Sequence, residues 1–213
     1  MRDLGWCSAC VISVWVSVPV IAAPAPKKVV AKGYATPEAC FRAVQTAVTK
    51  SDWKGWYHCM TDKAREAMTG RLVLLGAACA DHGPGLNKEA EAVHRVMTRH
   101  GVSNEMMAKA RKENPGPGDS RGPKKHHEVA RRWAKVIKDR PKFIAELFAA
   151  MKEAGLTVEE TENGELKDVK VTGNRAEGTY ENVRGPFKGN KTLMVFHKDR
   201  GGWRMSLPGL EEK

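Results

Sequence analysis

The chain lacks the short motifs by which most catalytic and metal sites are recognised. It contains no Gly-x-Ser-x-Gly elbow for a hydrolase nucleophile. Residues 116–118 (Gly-Pro-Gly) place proline where a phosphate-binding loop needs backbone N–H groups. On a helix His126 and His127 would point about 100° apart, and His94 and His100 miss the i,i+4 spacing of a shared metal. We therefore expect no metal, no cofactor and no nucleophilic catalysis.

Cysteine is also scarce, with five in 213 residues, and no spacing among them resembles a zinc site. Cys7 and Cys10 lie in the amino-terminal apolar stretch, which leaves Cys40, Cys59 and Cys79. In an oxidising compartment an odd number predicts one disulfide and one free thiol. Cys40 and Cys59 are the preferred pair because they lie on neighbouring predicted helices. The alternative, that all three are small core residues, stays open.

The amino terminus has the pattern of an export signal. Arg2 precedes an uncharged, largely apolar stretch that runs to Ala23, and Val20 and Ala22 supply small residues at the −3 and −1 positions. Residues 1–22 are therefore predicted to be a signal peptide, cleaved before Ala23 on the way to the periplasm or the outside of the cell. An uncleaved membrane anchor is the alternative, since a stretch of this length could just span a bilayer.

The formal net charge of +11 favours anionic partners such as lipid headgroups, cell-wall polymers and acidic ligands. Twelve Lys and Arg residues lie between positions 109 and 142, against four Asp and Glu residues. The candidate contacts to an anionic envelope surface are Arg131, Arg132, Lys135 and Lys138, opposite an apolar stripe of Val129, Trp133, Val136 and Ile137. An ordinary solvated face is the alternative. Nucleic acid is not expected, because export separates the protein from it.

Helical patterns fill the first two thirds of the mature chain. Thr36-Pro37-Glu38 supplies an N-cap, a proline at the first position and an acid in the first turn. Residues 51–52 and 61–62 supply caps for two further helices, and a Pro- and Gly-rich loop at 114–119 interrupts the helical pattern of residues 87–151. We expect a linker over 23–35 and a single domain over 36–208, with 87–151 as a basic helical insertion.

From Leu166 onward the apolar residues alternate, as in strands. Residues 175–183 follow a Gly-Asn turn, residues 193–196 are apolar on both faces, and the turn at 199–202 leads into an alternating last strand. Helices followed by an antiparallel meander predict the α+β class. We expect amino-terminal helices packed on a curved antiparallel sheet of about four strands at the carboxyl end.

Two segments of the chain resemble the nuclear transport factor 2-like superfamily. Thr36-Pro37-Glu38-x-x-Phe41, followed by Asp52-Trp53, resembles its first helices. Asp168-Val169-Lys170-Val171-x-Gly173-Asn174-x-Ala176, then Gly201-Gly202-Trp203-Arg204, resembles its final strands, especially in small exported members. The resemblance covers roughly residues 34–80 and 164–208. It implies a curved sheet wrapped around helices as a cone with an apolar cavity. The superfamily includes dehydratases, isomerases, ligand carriers and non-catalytic binding modules.

Aromatic and polar side chains are the candidates to line this implied cavity. The pocket set is Trp53, Trp56, Tyr57, Tyr180, His197 and Trp203, of which Tyr57, His197 and Tyr180 are the candidate catalytic residues. His197 has the same strand parity as Leu193 and Val195, so it is expected to face inward. The alternative is that the Tyr and Trp residues are core residues with a polar tip.

Together these patterns favour an exported, non-enzymatic binding module. Its ligand would be a small apolar molecule in the pocket or an anionic envelope surface against the basic segment. A cofactor-free lyase or isomerase acting in the same pocket is the alternative function, and a structural cell-envelope protein is a third. A homodimer formed through the sheet is also open.

Overall fold

The computed structural model of the chain describes residues 33–79, 88–113, 122–153, 164–184, 188–199 and 201–210. The predicted signal peptide, nearly all of the predicted linker and the predicted loop at 114–119 lie outside these residues. Within the described residues, no helix combines the length and the apolar character needed to cross a membrane.

The described residues form seven helices that precede a four-stranded sheet, so the predicted α+β class and the order of its elements are confirmed. The helices are α1 Pro37–Thr49, α2 Trp53–His58, α3 Asp62–Cys79, α4 Lys88–Arg99, α5 Asn104–Glu113, α6 Gly122–Ala134 and α7 Arg140–Glu153.

Side-chain caps set the starts of five of these helices. Thr36, Asp52 and Thr61 each accept a hydrogen bond from the backbone N–H three residues later, at 2.9–3.2 Å, and so begin α1, α2 and α3. Ser103 and Asp139 do the same for α5 and α7, at 3.3 and 3.1 Å. Each cap satisfies an N–H group that helix geometry leaves without an internal partner. The predicted starts of α1, α2 and α3 are therefore confirmed.

The sheet is an antiparallel meander in the order β1-β2-β3-β4. Its strands are β1 Gly164–Thr172, β2 Arg175–Asn182, β3 Lys191–Asp199 and β4 Gly202–Ser206. The pairing of β1 with β2 shifts register between Lys167 and Lys170, and Asp168 there has a φ of +53°. A bulge and exposed lysines on an edge strand both discourage further strands from adding to it.

The outer edge of β4 is closed by two short segments from the amino-terminal part of the chain. Tyr34 and Trp203 exchange backbone hydrogen bonds at 3.0 and 2.7 Å. The N–H of Met205 donates to the carbonyl of Cys59 at 2.8 Å, and the N–H of Thr61 donates to the carbonyl of Met205 at 2.9 Å. These four bonds satisfy backbone groups that an edge strand would otherwise expose.

Apolar side chains gather in two core clusters. The first, here called the helical core, joins residues of α2–α7, with Phe143, Ile144 and Leu147 of α7 fully buried. The second, here called the sheet core, packs α1 and the start of α3 against one face of the sheet, with Phe196 fully buried. Helices α4–α7, which lie mostly in the predicted basic helical segment, therefore share a core with α2 and α3.

Helices α3 and α6 cross closely at a glycine. A side chain at Gly70 would overlap the backbone carbonyl of Ala130, which itself has no exposed surface. Two helices approach this closely only where one of them lacks a Cβ atom at the crossing. Gly70 therefore fixes how α6, which carries Arg131 and Arg132, sits on the helical core.

Two details of the sequence prediction are wrong. The helix predicted to carry Val136 and Ile137 ends at Ala134, so both residues follow it in a turn-like segment. Strand β3 is not fully covered on both faces, because the side chain of Leu193 is 47% exposed.

Candidate functional site

The structure places three of the predicted pocket residues in the helical core. Trp53 and Trp56 of α2 pack around Phe148 of α7, with ring centroids 4.4 and 5.4 Å from it. The two indoles also meet edge to face, 6.4 Å apart. Such aromatic contacts stabilise the docking of α2 on α7 beyond simple area burial.

Tyr57 lies in the same core, with its hydroxyl group in a polar network. The hydroxyl hydrogen-bonds with Thr69 and Arg140, and the Arg65 guanidinium lies over the ring, 5.6 Å from its centroid. Burial raises the pKa of Tyr57, and its hydrogen bonds and the two arginines lower it by less. The phenol therefore stays protonated near neutral pH and acts as a polar tip on a core residue.

Tyr180 and Trp203 lie in the sheet core, away from Tyr57. The Tyr180 hydroxyl donates to Asn182 Oδ1 at 2.5 Å, and its ring tilts against Phe41 of α1 with centroids 6.0 Å apart. Trp203 packs in the same cluster and has the Lys198 ammonium 5.9 Å from its ring centroid.

The prediction that His197 faces inward is wrong. Phe196 pairs with Met205 across β3 and β4, and both belong to the sheet core, so their parity defines the face that packs on the helices. His197 has the opposite parity and pairs with Arg204 on β4 and Arg175 on β2. It is half-buried on the face turned away from α1. Tyr57, Tyr180 and His197 thus occupy three separate surroundings.

Cys40, Cys59 and Cys79 are free thiols, and the first two are close neighbours. The Sγ of Cys40 lies 3.6 Å from the backbone carbonyl oxygen of Cys59, and Cys59 Sγ is 3.2 Å from the Tyr34 hydroxyl. Both cysteines belong to the sheet core, whereas Cys79 packs on the helical core. The predicted pairing of Cys40 with Cys59 remains a prediction.

Sequence reasoning missed the buried arginine beside these thiols. Arg204 is 2% exposed, forms an ion pair with Asp199 at 3.1 Å and donates to the carbonyl of His58 at 3.3 Å. Its position between Trp203 and Met205 on an alternating strand predicts a solvent-facing side chain. The signal that could have indicated otherwise is the acid at Asp199, five residues earlier across a hairpin turn.

Two of the four predicted surface cations are held by carboxylates of neighbouring helices. Arg131 Nε donates to Glu66 of α3 at 2.6 Å, and Glu66 also lies 3.8 Å from Arg140. Arg132 Nη2 donates to Glu113 of α5 at 2.7 Å. Arg131 is therefore mainly a link between α6 and α3. Lys135 and Lys138 are exposed, as predicted for surface contacts.

The contact between α5 and α6 borders a surface with exposed cations from both helices. Glu113 accepts hydrogen bonds from both Arg132 and Trp133 Nε1 of α6, which fixes the end of α5 against α6. Spacings of three, four and seven residues keep side chains on one side of a helix. The surface, here called the basic face, consists of Lys109 and Lys112 on α5 with Lys125, Arg132 and Lys135 on or just after α6, all exposed. Glu128 is the exposed acid among them on α6.

His127 anchors the buried side of α6. Its ring is 2% exposed, with Nε2 3.0 Å from the carbonyl oxygen of Pro208 and Nδ1 3.5 Å from Arg71 Nη2. A carbonyl can only accept and a guanidinium can only donate, so Nε2 carries the proton of a neutral ring. Burial and the neighbouring Arg71 lower the pKa of His127, although the Pro208 contact opposes this.

We expect His127 to make the protein less stable in acid. Because its pKa is lowered in the folded state, the unfolded chain binds the proton first, and stability falls as pH drops below about 6.5. His58, whose pKa is also lowered by burial, adds to this loss. Urea midpoints measured from pH 7.5 to 5 should fall for the native chain and fall less for His127→Gln. Equal pH dependence in the two proteins would contradict this assignment.

No group of three or more His, Cys, Asp and Glu side chains suited to a metal ion occurs in the part of the chain that the structure describes. No protein-family model, curated protein or solved structure matches the chain.

Proposed function

We propose that the protein is an exported, non-enzymatic module that binds anionic polymers of the cell envelope through the basic face. The observation that carries this proposal is the contact of Glu113 with Arg132, which joins two helices, α5 and α6, that both carry exposed lysines. A catalytic function is not proposed, because Tyr57, Tyr180 and His197 lie in separate surroundings.

The type of cation favours a polymer over a single small anion. Arginines recognise one phosphate or carboxylate through paired, rigid hydrogen bonds, whereas lysines act as hydrated point charges on flexible stems. Arg132 is already bound to Glu113, so four lysines dominate the basic face. Spread lysine charges match a ligand whose negative charge is also spread over many groups.

The basic face also lacks the exposed large hydrophobic side chains, among the described residues, that would insert into a bilayer. The exposed large hydrophobic side chains of the described residues are Leu75, Val171 and Leu193, and none of them lies on α5 or α6. Attraction to lipid headgroups would therefore rest on charge alone, without an apolar anchor. This favours a polymer as the partner.

The export signal and the superfamily assignment belong to the same proposal. The resemblance to the nuclear transport factor 2-like superfamily implies a curved sheet wrapped around helices, and an antiparallel sheet that packs on helices is compatible with it. A positively charged exported module would meet cell-wall polymers directly after translocation.

Replacing Lys109, Lys112, Lys125 and Lys135 with Gln tests the basic face. Each lysine contributes about 1 kcal/mol near an anionic surface at low salt, so we expect the Kd for heparin, a sulfated polysaccharide, to rise by about 10²- to 10³-fold. Binding by the native chain should weaken steeply with added salt. Vesicles containing phosphatidylglycerol should bind more weakly than heparin, and stronger vesicle binding would make a membrane the partner instead.

The matched control replaces Lys54, Lys170, Lys188 and Lys191 with Gln. These four lysines are also exposed but lie on α2 and at the sheet, so the variant has the same net charge as the basic-face variant. We expect it to retain most of the native heparin affinity. An equal loss in both variants would mean that net charge, not the basic face, determines binding, and unchanged binding in the first variant would remove the proposal.

A further inference from the structure

Cys40 and Cys59 come from different elements and meet inside the sheet core. Cys40 lies on α1 with no exposed surface, and Cys59 directly follows α2 and is 2% exposed. The Cys40 thiol donates to the carbonyl oxygen of Cys59 across 3.6 Å. Cys79 lies at the end of α3 and packs on the helical core instead. The fold thus brings one pair of thiols together and separates the third from it.

We propose that Cys40 and Cys59 become joined in a structural disulfide as the chain folds in an oxidising compartment, and that Cys79 stays a free thiol. The bond would tie α1 to the segment Cys59–Thr61, which pairs with the outer edge of β4. The disulfide would therefore fix covalently the segment that covers the edge of β4. This role is independent of the basic face.

Present contacts of the two thiols do not prevent the bond. Cys59 Sγ donates to the carbonyl of Gly55 at 3.3 Å and lies beside the Tyr34 hydroxyl. Thiols are weak hydrogen-bond donors and acceptors, so rotating Cys59 away from these partners loses little. Cys59 is the C-cap that follows α2, so a change of its side-chain rotamer leaves the backbone hydrogen bonds of the helix in place.

Burial indicates that the bond forms before the core closes. Desolvation raises the pKa of Cys40 to about 12 and also raises the pKa of Cys59. Only the thiolate attacks a disulfide, so the folded, buried thiols react slowly. The same burial protects a completed disulfide from reductants.

The oxidant in this step is a disulfide, either of a small molecule such as oxidised glutathione or of an oxidoreductase. One protein thiolate attacks it, forming a mixed disulfide and releasing the first donor thiol. The second cysteine then attacks the mixed disulfide and releases the second donor thiol. Two protons and two electrons leave the protein, and the donor departs as two thiols.

Refolding the full chain with oxidised glutathione, or with dithiothreitol, tests the proposal without requiring export. After denaturation and alkylation without reduction, peptide mapping of the oxidised sample should show a linked peptide containing Cys40 and Cys59, two hydrogens lighter than the sum of its parts. The Cys79 peptide should be alkylated. Alkylated Cys40 and Cys59 peptides, or a linked peptide containing Cys79, would overturn the proposal.

The stability of the same samples provides a second measurement. A disulfide closes the loop from Cys40 to Cys59 and so restricts the unfolded chain. The Tm of the oxidised protein should therefore be about 5–10 °C above that of the reduced protein. Cys79→Ser should keep that difference, and Cys40→Ser combined with Cys59→Ser should remove it. If the double variant fails to fold, the native chain and Cys79→Ser still decide the question. Identical melting of oxidised and reduced native protein would count against a structural role.

Discussion

Gly70→Ala should lower the free energy of unfolding by about 3 kcal/mol or more. Alanine in a helix interior normally stabilises by about 1 kcal/mol relative to glycine. Here the new Cβ would overlap the backbone carbonyl of Ala130, and backbone cannot rotate aside as a side chain can. Helices α3 and α6 must separate, which opens gaps along their shared interface. Thermal unfolding should show a drop in Tm of about 6–12 °C.

Gly76→Ala provides the matched control on the same helix. Its new Cβ would approach the Met97 Sδ at 2.7 Å, and an unbranched thioether side chain can adopt another rotamer. We expect the free energy of unfolding to change by about 1 kcal/mol or less, since the gain in helix propensity offsets the cost of repacking Met97. Hydrogen exchange should also quicken in α6 for Gly70→Ala but not for Gly76→Ala. Native-like stability of Gly70→Ala would mean that the close helix crossing is wrong.

Phe196→Ala should be the most destabilising single truncation in β3. Phe196 has no exposed surface, belongs to the sheet core and pairs with Met205 across the sheet. Removing a buried phenyl group from a packed core costs about 3–5 kcal/mol. The urea midpoint of the variant should fall accordingly.

Leu193→Ala is the informative comparison because the two faces of β3 are hard to distinguish from sequence. Leu193 is 47% exposed and has the opposite parity, so its truncation should cost about 1 kcal/mol or less. If Leu193→Ala lost as much free energy of unfolding as Phe196→Ala, or more, the face assignment of β3 would be wrong. The outward position of His197 would then be wrong as well.

Helix starts were predictable because capping is local. Thr36, Asp52 and Thr61 each accept a hydrogen bond from an N–H only three residues away, so the pattern of a few neighbouring residues suffices. The alternation of Trp203, Met205 and Leu207 was equally readable, and all three lie in the sheet core. In β3, four apolar residues in a row left the parity undetermined, and the wrong choice turned His197 inward.

The basic segment shows the same limit for charge. Its sequence predicts a helix with cations on one face, and α6 bears Arg131 and Arg132, whereas Lys135 and Lys138 follow the helix. The sequence does not show which cations are already bound by carboxylates. The carboxylates that bind Arg131 and Arg132 come from α3 and α5, 65 and 19 residues away along the chain. Arg204 is likewise buried, because its guanidinium forms an ion pair with Asp199 and donates a hydrogen bond to the carbonyl of His58.

The sequence by itself determined the α+β class, the order of helices and strands, and the caps, since each follows from periodicity or from contacts within one turn. Only the tertiary structure decided which face of β3 packs on the helices, which cations are bound by carboxylates, and which thiols meet in the sheet core. Those properties depend on atoms that are distant along the chain, and only packing brings them within a few ångströms of one another.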